Sequence, residues 1–207
     1  MPSPPTSTSF AILGLLGLQS WTAYELVAQM QRNMAFWWPR SAAHLYAELK
    51  RIVERGHATA EQEEGRRRQR TRYTITAEGR EALEAWLRTE PAPPIVEIEA
   101  VLRMFFADQG TAEDLRNALE ATVRHVRELD SQGRAVIEDV LETGGPFPER
   151  VHLAEPVGTL LDDMYGVLAK WCETMIAEIG EWSSTRDVGQ TVRARERLQQ
   201  LLKRPAL

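Results

Sequence analysis

The sequence predicts a mainly α-helical protein with a small β-hairpin wing, built as an N-terminal winged helix-turn-helix domain followed by a C-terminal helical dimerisation domain. Three observations predict it. From residue 10 to residue 88 the apolar spacing and the breaker residues read helix, helix, helix, strand, strand, helix. The two strand-prone runs flank a cluster of arginines. A Pro-rich stretch, Pro91-Ala-Pro-Pro94, then separates this part from a series of long amphipathic helices. The expected organisation is a mobile tail over 1–9, a winged domain over 10–90, a linker over 91–94 and a helical domain over 95–207.

Composition narrows the function classes. A hydrophobic share of 43% supports a packed core, and 27% charged residues is ordinary for a soluble chain. No apolar run approaches the roughly 20 residues that span a bilayer, because Gly14, Gly17 and Gln19 interrupt the best candidate. Residues 1–9 lack a basic start, so they do not read as a signal peptide. Cys172 is alone, which excludes an intrachain disulfide and suits a reducing cytoplasm. The net charge of −5 is unevenly spread. Residues 1–90 hold 12 Lys/Arg against 10 Asp/Glu, and the rest hold 13 against 20. A slightly basic first half with an acidic second half fits a nucleic-acid-binding domain attached to a partner domain that faces away from phosphates.

Phe10 to Leu18 is almost wholly apolar and reads as a buried helix, with Gly14 and Gly17 permitting close contact. Thr22 and Glu25 form a capping box for the next helix, whose apolar positions are Tyr24, Leu26, Val27 and Met30. Phe36, Trp37, Trp38 and Pro39 make a rigid aromatic turn. Ser41 then caps a helix with Leu45, Leu49, Ile52 and Val53 on its apolar face, stopped by Gly56. Its other face carries Arg40, Ala43, His44, Lys50 and Arg51, small or basic groups that suit a phosphate-lined groove. It reads as a DNA-recognition helix. Residues 57–60 and 72–76 are the strands, and Arg66, Arg67, Arg68, Arg70 and Arg72 lie at or beside the hairpin tip. Arginines at a wing tip neutralise phosphates, although the same run also reads as a solvated hairpin balanced by Glu61, Glu63 and Glu64. Arg40, Ser41, His44, Tyr46 and Lys50 complete the candidate DNA contacts. Thr76 caps a last helix over 77–88, with Leu83, Trp86 and Leu87 inward.

Beyond the linker, Val96 to Asp108 reads as a helix. Thr111 and Asp114 open a long one to about Glu142. Its residues Leu115, Thr122, Leu129 and Val136, and Leu119, Val126, Gly133 and Val140, repeat every seven positions and predict a coiled-coil-like seam. Gly144 to Pro148 breaks the chain. A helix from about Val157 to Trp182 carries Leu161, Met164, Leu168, Trp171, Met175, Ile179 and Trp182 on one wide apolar face, and a polar helix covers about 186–203. Leu115, Leu119, Val126, Leu129, Val136, Leu161, Leu168 and Met175 are therefore the candidate dimerisation residues.

Residues 8–88 resemble the PadR family, the phenolic-acid-decarboxylase-regulator-like bacterial transcription factors. The resemblance rests on Phe10-Ala-Ile-Leu-Gly-Leu-Leu16, Thr22-Ala-Tyr-Glu-Leu26, Ser41 with Leu45-Tyr46, Leu49-Lys-Arg-Ile52, Glu54-Arg-Gly56, and Arg72-Tyr-Thr-Ile-Thr76 with Gly79. It extends less specifically through Leu102-Arg-Met-Phe-Phe-Ala107 and from Met164 to Trp171. The sequence departs from the family at Ala42-Ala43-His44, where bases would be read. The resemblance implies a homodimer clasped by the C-terminal helices, double-stranded DNA as partner, and repression from an inverted-repeat operator. It also implies a small aromatic effector, for which Trp171, Met164 and Trp182 are the candidate residues. An aromatic stripe at helical spacing serves equally as core, and both readings stay open.

Nothing points to catalysis. There is no metal-binding His pair, Gly-rich phosphate loop or nucleophile elbow, and His125, His152 and Asp162-Asp163 lack partners at useful spacing. No cofactor or metal is expected. The rival reading is a dimeric interaction module whose winged domain binds another protein, and the arginine-rich wing counts against it.

Overall fold

The computed structural model describes residues 4–35, 37–63, 70–186, 189 and 191–205. It divides into two compact units, Met1–Pro94 and Ile95–Leu207.

The first unit contains α1 (Ser7–Leu18), β1 (Trp21–Thr22), α2 (Ala23–Met34), α3 (Ala42–Glu54), β2 (Ala58–Glu63), β3 (Arg70–Ile75) and α4 (Ala77–Leu87). The sheet is antiparallel, in the order β1-β3-β2, with Ala58 opposite Ile75 and Trp21 opposite Tyr73. β1 escapes the sequence because two residues carry no periodicity. The core gathers Ile12, Leu13 and Leu16 of α1, Leu26 and Met30 of α2, and Leu45, Leu49 and Ile52 of α3, closed by Ala58 and Ile75. The capping residues act as expected: Thr22 and Glu25 form a reciprocal box, and Ser41 and Thr76 each accept a backbone N–H three residues on.

Several expectations need correction. Residues 7–9 are not tail but the first turn of α1, because Thr6 and Ser9 satisfy each other's backbone donors in a second capping box. Tyr24 is exposed, since it falls on the outer side of α2. Leu87 is exposed too, whereas Trp86 stacks on Phe10 with ring centroids 4.9 Å apart. Gly14 and Gly17 are not close-contact points: nothing lies within 4 Å of a Cβ at Gly14, and only the Arg80 guanidinium, at 3.9 Å, approaches one at Gly17. The close approach occurs at Gly79, where a Cβ would stand 2.1 Å from the His57 carbonyl oxygen. That oxygen already accepts the Thr76 N–H, so it has no room to retreat.

The second unit contains α5 (Glu99–Phe105), α6 (Ala112–Thr143), α7 (Val151–Ile179) and α8 (Val192–Lys203). α5 is shorter than the 96–108 expectation, and Leu102, Phe105 and Phe106 are exposed. Thr111 and Asp114 cap α6 reciprocally, and Gly144, at φ +81°, ends it in the left-handed conformation. α7 begins before the expected Val157 and runs through Pro156, near its exposed end. Ala100, Leu115, Leu119, Val123, Cys172, Met175 and Ile179 form the core of this unit. α8 is tied to the end of α7 by Arg193–Glu181 at 2.9 Å and Arg197–Glu178 at 2.5 Å.

Adding one methyl group separates tight from open backbone. Gly79→Ala should destabilise the winged unit by about 1–3 kcal/mol through overpacking. Gly14→Ala should leave it unchanged or about 0.5–1 kcal/mol more stable, as alanine replaces a mid-helix glycine. Urea denaturation of the two variants measures both.

Candidate nucleic-acid interface

α3 divides into a face that must be buried and a face that is free. Leu45, Leu49 and Ile52 anchor it, while Ser41, Ala43, His44, Tyr46, Ala47, Lys50 and Arg51 are exposed. The Ser41 hydroxyl accepts the His44 N–H at 3.2 Å, so Ser41 is spent partly on shaping the helix start. Tyr46 is 43% exposed and lies on the outer side of α3. Lys50 lies 3.7 Å from Glu54 across solvent, a weak pair that releases readily to another anion.

The buried face contains a charge that apolar periodicity overlooks. Glu48 has no exposed surface. Its carboxylate accepts the Ser9 hydroxyl, the Thr6 hydroxyl at 3.2 Å and the Arg51 guanidinium at 2.7 Å, and Arg55 stands 4.0 Å away. Burial alone would push this carboxyl up. The bonds from Ser9, Arg51 and Thr6 outweigh that cost and hold it below its ordinary value. A carboxylate between Leu45 and Leu49 is itself the signal, because a charge on an apolar stripe needs buried partners.

Arg40 is engaged within the unit. It lies over the Trp38 ring at 4.7 Å, and its guanidinium donates to the Pro39 carbonyl at 2.7 Å and to Thr8 Oγ1 at 3.4 Å. At the wing, Arg70 is exposed at the start of β3. Arg72 departs from the expected outward role, because it donates to the Ser20 carbonyl at 3.1 Å and braces β1 against β3. The Glu25 carboxyl is held below its usual range by the Thr22 backbone and side-chain bonds, with Arg72 and Arg70 adding attraction. Arg66, Arg67 and Arg68 lie outside the described residues.

The dimerisation and effector candidates sort differently in the second unit. Leu115, Leu119 and Met175 are buried in its own core, and Val126 is buried on α6, so these four are not available to a partner. The α6 seam is satisfied by α7 of the same chain. Leu129 and Leu161 are half-buried, Leu168 packs against that core, and Val136 is exposed. An unexpected apolar row lies on α7: Leu153, Val157, Leu160, Met164 and Val167, spaced 4, 3, 4 and 3 apart and all exposed. Trp171 and Trp182 pack on the core while Met164 belongs to the exposed row, so the three are not gathered into one site. An open cleft of about 310 Å³ is lined instead by Glu120, Val123, Arg124, Arg127, Glu173 and Ile176. Cys172 is fully buried and its thiol is pushed up by burial and by Glu173, which suppresses the reactive thiolate. Among the described residues no helix is long and apolar enough to cross a membrane, and no group of three His, Cys, Asp or Glu could hold a metal ion.

A helix-turn-helix with an antiparallel wing and an outward face of small and basic residues on its second helix defines the winged helix-turn-helix fold. Residues 12–85 match the model of the transcriptional regulator PadR-like family. The match falls within the winged unit. Over 99 residues the chain is 29% identical to the negative transcriptional regulator PadR of Bacillus subtilis (strain 168), covering 47% of this chain and 54% of that protein. The aligned segment thus spans about half the length of the curated relative. Solved structures extend the likeness of fold. The crystal structure of B. subtilis PadR in complex with operator DNA is 22% identical, with a TM-score of 0.69 over 84% of this chain and 99% of that one. The same protein in complex with p-coumaric acid gives 21% identity and a TM-score of 0.65, over 85% of this chain and 100% of that one. The structure of smu.1604c from Streptococcus mutans UA159 gives 20% identity and 0.73, over 82% and 98%.

The Glu48 carboxyl sets a pH dependence. With its folded value depressed, its contribution to stability is complete above the unfolded carboxyl range and is lost as pH falls through the folded value. Between pH 7 and pH 3, Glu48→Gln should therefore lose less stability than the wild type, as read by urea melts across that range.

Proposed function

We propose that the chain is a DNA-binding transcriptional regulator that represses from an inverted-repeat operator as a homodimer, acting in the cytoplasm and catalysing no reaction. The observation that carries this reading is α3, whose inner face is locked into the core while its outer face offers Ala43, His44, Ala47 and Lys50 to a groove. The PadR complex with operator DNA supports the same use of the same fold. Small residues let the helix enter a major groove, and the polar and basic ones meet base edges and phosphates. Two such helices related by a two-fold axis read half-sites about 34–36 Å apart. Bound there, the dimer blocks polymerase. The outward face of α3 lacks the apolar centre of a protein-binding patch, which disfavours a protein partner.

The exposed row on α7, with the exposed Val136, Ile137 and Leu141 of α6, is the surface we assign to the second copy. Its 4-3 spacing is that of a helix seam. A small aromatic effector is part of the reading, as B. subtilis PadR was solved with p-coumaric acid. Trp171, half-buried where the packed part of α7 meets the exposed row, would stack on such a ring. The effector releases DNA by binding one dimer geometry better than the other.

Footprinting on an operator should reveal two protected half-sites one helical turn apart, and a single short footprint would oppose the dimeric reading. The Arg66/Arg67/Arg68→Ala triple variant should weaken DNA binding and reduce the slope of log K against log salt by roughly 2–3, about 0.9 per phosphate contact removed. An unchanged slope would exclude the wing from phosphate contact. Leu160→Asp with Val167→Asp should give a folded monomer by sedimentation, whereas a dimer that survives both changes would place the interface elsewhere.

A further inference from the structure

We propose that Arg51 is a DNA-contacting residue of α3 and that buried Glu48 is its positioning residue. The inference rests on the proposed function and adds a pair of residues to it. Arg51 lies seven positions after His44 and four after Ala47, on one strip of the exposed side of α3. Its side chain is 50% exposed, yet one of its nitrogens, Nη1, donates at 2.7 Å to Glu48 Oε2.

The two oxygens of Glu48 have separate tasks. Oε1 takes the hydroxyls of Thr6 and Ser9 from the start of α1 and faces Arg55 at 4.0 Å. Oε2 takes Arg51. A carboxylate held on both sides cannot swing, so the guanidinium it grips is held at a defined place and tilt. This differs from Lys50 and Glu54, where both partners are solvated and neither is fixed. A buried carboxylate without cationic and hydroxyl partners would be costly, so the arrangement keeps Arg51 in place in the free protein.

Nε and Nη2 of Arg51 have no partner among the described residues. These two donors share one edge of the guanidinium and match a planar pair of acceptors. On DNA that chemistry is supplied by O6 and N7 of guanine or by two phosphate oxygens. Arg51 enters the groove already oriented, and Glu48 acts on DNA only through it.

The test begins with selection of duplexes from a randomised pool by the full-length protein. Affinities for a selected and a scrambled duplex are then measured for the wild type, Arg51→Ala, Arg51→Lys, Glu48→Gln and the Glu48→Gln/Arg51→Ala double variant, with thermal melts alongside. Arg51→Ala and Arg51→Lys should each lose roughly 5- to 150-fold on the selected duplex, with little loss on the scrambled one where the acceptor is guanine and a similar loss on both where it is phosphate. Glu48→Gln should lose most of the same factor, and the double variant should match Arg51→Ala within about twofold, since the two residues act as a unit. If 7-deazaguanine at the contacted positions erases the difference between wild type and Arg51→Ala, the acceptor is guanine. If a methylphosphonate erases it, the acceptor is phosphate. Wild-type affinity in Arg51→Ala, or a Glu48→Gln cost that persists beside Ala at 51, would overturn the pairing and leave the DNA-binding reading intact. Should Glu48→Gln not fold, Arg51→Lys decides: loss supports a fixed planar fork and full retention overturns it. A wild-type protein that selects nothing would bring down the DNA reading itself and this inference with it.

Discussion

The winged unit depends on a carboxylate buried on the inner side of α3. α3 has to satisfy two demands along 13 residues: an inner face that joins the core and an outer face that stays in solvent. Leucine and isoleucine alone would seat the helix through non-directional contacts, which tolerate small rotations. Glu48 adds directional bonds to Thr6 and Ser9 at the start of α1, and charge-assisted contact with Arg51. Rotation of α3 would break the bonds to Thr6 and Ser9. The reciprocal caps at Thr6 and Thr22 and the one-way cap at Ser41 then set where each helix begins, so the orientation of α3 is over-determined by hydrogen bonds and packing together.

The wing follows from the same framework. Gly56, at φ +76°, turns the chain out of α3 directly into β2, and the His57 carbonyl receives Thr76 at the foot of α4. Gly79 lets α4 approach that carbonyl. β1, only two residues long, completes the sheet because Arg72 reaches across to the Ser20 carbonyl. Arg72 is thus better understood as a brace, and exposed Arg70 as the described wing cation that remains outward.

Much of this was legible in the sequence, because caps and breakers act locally. Thr22 with Glu25, Ser41, Gly56, Thr76 and Thr111 with Asp114 all sit at the boundaries their chemistry implies. What was not legible depended on partners distant in sequence. Glu48 had no role assigned from the sequence, and its partner Ser9 lies 39 positions away. The seven-residue repeat of α6 signalled a helical neighbour correctly in kind, but that neighbour is α7 of the same chain, so Leu115 and Leu119 went to the core. The periodicity of a seam says that a face is covered and not by whom. On α7 the apolar row from Leu153 to Val167 continues the pattern beyond the part that the chain itself covers, and it was obscured by the broad apolar character of that helix. The arginine run at 66–68 is informative as chemistry alone.

The central claim, that α3 and the wing serve sequence-specific DNA, is tested most directly by fluorescence anisotropy with a duplex from the protein's own upstream region beside a scrambled one, at two salt concentrations. The account predicts tighter binding to the former, two protomers per duplex, and a loss of affinity at the higher salt as phosphate contacts are screened. Absence of binding to either duplex at low salt would contradict it, because the basic face of α3 and the wing would then have no phosphate to meet.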